Sequence, residues 1–89
     1  MVQVTKQTVQ QWIMIDYLAK KHHYEEMIGQ LEVKYGMNYA EFEKRIETAS
    51  QEVFEEWDDS IDWGAYVGFL EEINQNITEI QQGNFQLVN

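Results

Sequence analysis

The chain has 89 residues, with 16 Asp or Glu against six Lys or Arg, a formal net charge of −10, and neither cysteine nor proline. That length makes one domain at most and buries only about 60–70% of the unfolded surface, so the core is thin. The missing cysteines exclude disulfides and thiolate metal sites. The longest apolar run, Trp12-Ile13-Met14-Ile15, is too short for a signal-peptide core or a membrane span, and a cytoplasmic location is expected.

Charge is distributed unevenly along the chain. Lys6, Lys20, Lys21, Lys34, Lys44 and Arg45 are all the basic residues, and six acids in residues 1–45 balance them. Residues 46–89 hold the other ten acids and no Lys or Arg, so the whole net charge lies there. Such a segment suits a basic partner surface and repels nucleic acid.

Residues 1–5 alternate Val2 and Val4 with Gln3 and Thr5, a pattern for a short strand or an ordered arm, with the arm running to residue 7. Thr8, three before Gln11, writes a capping box that predicts a helix over 8–20. Val9, Trp12, Ile13, Met14, Ile15, Tyr17 and Leu18 surround its axis, so it needs cover on most sides. Lys20-Lys21-His22-His23 interrupts the apolar pattern. Tyr24, Met27, Ile28, Leu31 and Tyr35 then share one face of a helix over 22–35, either continuous with the first or separate from it.

Gly36 can take the left-handed conformation that ends a helix, and Asn38 with Glu41 writes a second capping box. These residues predict a tight helix–turn–helix joint at 36–38 and a third helix over 38–48 carrying Phe42 and Ile46. Thr48-Ala49-Ser50 reads as a loop, with Ser50 or Thr48 available to cap a long acidic helix over 52–82. Val53, Phe54, Trp57 and Ile61 begin an apolar face of that helix, and Asp58-Asp59-Ser60 is a candidate break in it. Tyr66, Leu70, Ile73, Ile77 and Ile80 recur at spacings of 4, 3, 4 and 3. That rhythm fits either a seam between chains or a core-facing stripe. Gly83 ends the helix, and 83–89 form a tail in which Phe85 and Leu87 alternate with polar residues. The expected fold is all-α: about four helices in a single domain over 1–82. A homodimer is expected through Trp12, Ile13, Leu70, Ile73, Ile77 and Ile80.

Catalytic chemistry has little to stand on. His22 and Glu26 share a helical face, but two ligands are not a metal site. Glu55, Glu56, Asp58, Asp59 and Asp62 are close enough for paired-carboxylate chemistry, yet they lack both the spacing and the turn glycine of a calcium loop. Lys20 to His23 offers at most two full charges to phosphate. No catalytic residue, metal or cofactor is expected. What remains is a solvated acidic face or a protein-binding surface: Trp57, Trp63 and Tyr66 interleave with the acids, and aromatic residues anchor interfaces while acids around them steer a Lys/Arg-rich partner, although Trp57 and Trp63 equally fit the core anchors of this domain itself.

Residues 31–43 (Leu31, Glu32, Val33, Lys34, Tyr35, Gly36, Met37, Asn38, Tyr39, Ala40, Glu41, Phe42, Glu43), followed by Glu55-Glu56-Trp57 and Trp63, resemble small bacterial antitoxin-type proteins over residues 31–73. The resemblance implies a non-enzymatic partner of a small toxin encoded beside it, often a basic ribonuclease, covered by the antitoxin's C-terminal segment. Carried onto this chain, the covering residues are Glu55, Glu56, Trp57, Asp59, Asp62, Trp63 and Tyr66. An N-terminal DNA-binding module of the kind many antitoxins carry is not evident. The alternatives are a self-assembling structural or adaptor protein built on the heptad stripe, and an acidic DNA mimic.

Overall fold

A computed structural model describes residues 4–83 as three helices, α1 (Lys6–Tyr35), α2 (Tyr39–Thr48) and α3 (Phe54–Gln81), with no strand among the described residues. The expectation of about four helices is corrected to three, because α1 runs unbroken through Lys20-Lys21-His22-His23. The reason lies in spacing. Gln10, Met14, Tyr17, Lys21, Tyr24, Ile28, Leu31 and Tyr35 are all partly buried and recur at alternating steps of 4 and 3. Lys21 therefore occupies an inward position. A lysine fills such a place by laying its methylene stem along the apolar surface while its ammonium reaches water. An Asp16–Lys20 ion pair at 2.9 Å, one turn apart, spans the approach to the same polar run.

Capping also differs from the sequence pattern in two places. Thr5, not Thr8, is the N-cap of α1: its side chain accepts the Thr8 backbone N–H, and the helix opens three residues early. Val4 and Thr5 form no strand, and residues 1–3 of the expected arm lie outside the described residues. α3 starts behind Val53, which offers no side-chain cap. Neither Thr48 nor Ser50 serves there. The Thr48 hydroxyl turns back to donate to the Lys44 carbonyl at 2.9 Å. Asp58, Asp59 and Ser60 lie inside an unbroken α3, where acids near a helix N-terminus are favourable. Between α1 and α2, Gly36 sits at φ 66°, and Asn38 and Glu41 exchange both capping-box hydrogen bonds. Gly83 has φ 75° just after α3; the tail residues Phe85 and Leu87 lie outside the described residues.

α1 and α3 pair antiparallel. Lys6 Nζ donates to the Gly83 carbonyl at 3.3 Å and Gln10 Nε2 to the Ile80 carbonyl at 2.5 Å, which satisfies carbonyls at the end of α3. Midway, the Tyr24 and Phe69 rings lie 5.4 Å apart, and at the far end Lys34 reaches Glu55. The result is a rod of 64 × 19 × 19 Å with a radius of gyration of 18.1 Å, against about 12 Å for a compact chain of this length. Ile73, Ile77 and Ile80 are buried inside this hairpin, so the heptad stripe of α3 is a core-facing stripe of its own chain.

The second part of the core is an aromatic knob where α2 folds against α3. Phe42 and Trp63 are fully buried. Ring centroids lie 4.2 Å apart for Tyr35 and Phe42, 5.1 Å for Phe42 and Trp63, and 5.7 Å for Tyr39 and Trp63. Gly64 makes this fit possible, since a Cβ there would stand 2.6 Å from the Tyr39 hydroxyl.

Candidate functional site: the acidic end of the hairpin

The start of α3 gathers most of the candidate partner-binding residues at one end of the rod, but it gives them different surroundings. At 100° per residue, Trp57 and Trp63 stand about 120° apart around the helix axis. Trp63 turns inward to the aromatic knob and is 0% exposed, with its indole N–H unpartnered. It is a core anchor and is withdrawn from the covering set. Trp57 is 54% exposed. Tyr66 is half-buried beside Tyr24, with ring centroids 6.4 Å apart.

Three of the four candidate acids are engaged within the chain. Lys34, in the last turn of α1, reaches Glu55 and Asp59, each at 2.7 Å, and Arg45, in the last turn of α2, reaches Glu56 at 2.7 Å. The Tyr35 hydroxyl also donates to Asp59. The Lys34 ammonium, and then the Tyr35 hydroxyl, hold the Asp59 carboxyl below its ordinary range. Burial, then the bond to Asp59, pushes the Tyr35 phenol up to about 12. Asp59 is therefore an ionised anchor at neutral pH and not a proton donor. Asp62 is exposed and forms no ion pair among the described residues.

Sequence reasoning left out of the site two apolar residues that stand open beside Trp57. Phe54 is 79% exposed and Ile61 53%, and with Trp57 they follow spacings of 3 and 4 along one outer face of α3. That spacing was the available signal. Glu52, Glu55, Asp58 and Asp62 are exposed around them. Beside Trp57, the end of α2 and the start of α3 leave an open cleft of about 360 Å³, lined by Ile46, Ala49 and Val53 together with the Arg45–Glu56 pair. Chemically, this is an apolar stripe in an acidic rim, able to bind but without a nucleophile–base pair.

The other candidates lie elsewhere. His22 and His23 are exposed on α1, and no group of three or more His, Asp or Glu could hold a metal among the described residues. Of the expected oligomer residues, Ile73, Ile77 and Ile80 are buried in the hairpin and Ile13 and Leu70 are half-buried, while Trp12 is 57% exposed. No helix among the described residues is long and apolar enough to cross a membrane. No family model matches the chain, and comparison with curated proteins and with solved structures returned no match.

Proposed function

We propose that this chain is a non-enzymatic binding protein of the antitoxin type, which covers a basic protein partner with the first half of α3. The observation that carries this reading is the outer face of Phe54, Trp57 and Ile61, 79, 54 and 53% exposed and ringed by acids. Exposed aromatics in a charged rim suit an interface in which apolar anchors hold and charges steer. The ion pairs of Lys34 and Arg45 supply a further element. A basic partner side chain that reaches Glu55 or Glu56 competes with a lysine or arginine of this chain, so the association is sensitive to salt.

Co-expression with the product of the adjacent small gene tests the reading. That product should be toxic alone and should co-purify with this chain at low salt. Trp57→Ala should weaken the association by about 2 kcal/mol, roughly thirtyfold, without changing the melting temperature. A harmless neighbour that does not co-purify, or binding untouched by Phe54→Ala with Trp57→Ala, would sink it.

A further inference from the structure

The first half of α1 is apolar on both sides, and α3 covers only one of them. Trp12, Ile15 and Leu18 are 57, 66 and 49% exposed on the side turned away from α3. Thr8, Gln11, Ile15, Leu18 and His22 repeat at 3, 4, 3 and 4 along this outer face, and none is an acid, Lys or Arg. Between residues 7 and 19 the only charged side chain is Asp16, already paired with Lys20. On a chain of net charge −10, this face is electrically neutral.

We infer that a second copy of the chain covers this face, through an antiparallel α1–α1 pairing centred on Ile15. The charge pattern selects that occupant. A basic partner gains nothing from a neutral face, whereas another copy brings the same neutral, apolar patch by two-fold symmetry. Six of the ten acids after residue 45 lie at positions 52–62, toward the other end of the rod where Lys34 reaches Glu55. The register is self-consistent: with Ile15 on the axis, Trp12 lies against the partner's Leu18, and the open groove of about 400 Å³ beside Met14 and Ile15 receives it. The area suffices as well. With Ile15 on the axis, residues 6–24 of the two α1 helices overlap along about 28 Å, and over a rod 19 Å wide that offers roughly 540 Å² per partner, about the 1,000 Å² in total that a specific interface needs.

The cysteine-free sequence makes the test direct. The unaltered chain should sediment as a dimer. Ile15→Cys should cross-link to itself under mild oxidation, while Val33→Cys, 85% exposed but near the other end of α1, should not. Ile15→Asp should weaken self-association about a hundredfold or more and keep its helical circular dichroism, because Ile15 makes little of the core. A monomeric parent chain, an Ile15→Asp variant that stays dimeric, or equal cross-linking at positions 15 and 33 would overturn the proposal. The last result would mark a parallel pairing. Failure of the adjacent gene product to bind leaves these outcomes unchanged, so the two proposals fall separately.

Discussion

Trp57 and Trp63 show how much one side chain's surroundings decide. Both sit among acids in the sequence, and each fits a partner anchor or a core anchor there. Their angular separation on a helix was legible, but which of them faced inward was not, because that depends on α2 folding Phe42 and Tyr39 onto α3. Denaturant titrations should separate the two. Trp63→Ala removes a fully buried indole and should cost about 3–5 kcal/mol, whereas Trp57→Ala should change stability by less than about 0.5 kcal/mol. The glycines of α3 make a second pair. Gly68 has open space around its Cβ position, so Gly68→Ala should gain about 0.5–1 kcal/mol from helix propensity. Gly64→Ala should show no such gain, since the new methyl drives Tyr39 off Trp63 and away from its hydrogen bond to Glu43.

Among the elements, legibility follows whether a side chain makes the deciding contact locally. Asn38 and Glu41 cap α2 with their own side chains, and the spacing of three is visible in the sequence. α3 begins behind a valine with no side-chain cap, so its start at Phe54 is set by packing on α2 and by the ion pairs. α1 was hidden by composition: Lys21 stands where the heptad wants an apolar residue, and a charged run resembles a boundary. Thr5 and Thr8 both fit a cap, and only the folded backbone chooses between them. Thr5→Ala should cost about 1 kcal/mol. Thr8→Ala should cost less, because the Thr8 backbone N–H keeps its bond to Thr5. Thermal melts of the two variants provide the comparison.

Over the whole molecule, the acidic half and the basic residues meet where the hairpin ends, through pairs 21 and 25 residues apart in sequence. No local pattern announces such pairs, which is why the acids read as free. They give stability a dependence on pH at both extremes. The Asp59 carboxyl is held below its ordinary 3.8, so its contribution is complete above that value and is lost as pH falls through the lower folded value. Asp59→Asn should flatten the acid limb of a stability-versus-pH curve. The Tyr35 phenol is raised from 10.0 to about 12, so stability falls as pH climbs through that interval, and Tyr35→Phe should remove that part of the alkaline loss. The antiparallel register has a mechanical consequence too. Lys6 and Gly83 are neighbours at one end of a 64 Å rod, and the aromatic knob closes the other. Force applied through those two residues loads the α1–α3 contacts one rung at a time instead of shearing them together. The hairpin should peel at low tension, rung by rung, until Trp63 and Phe42 give way in a single final rip.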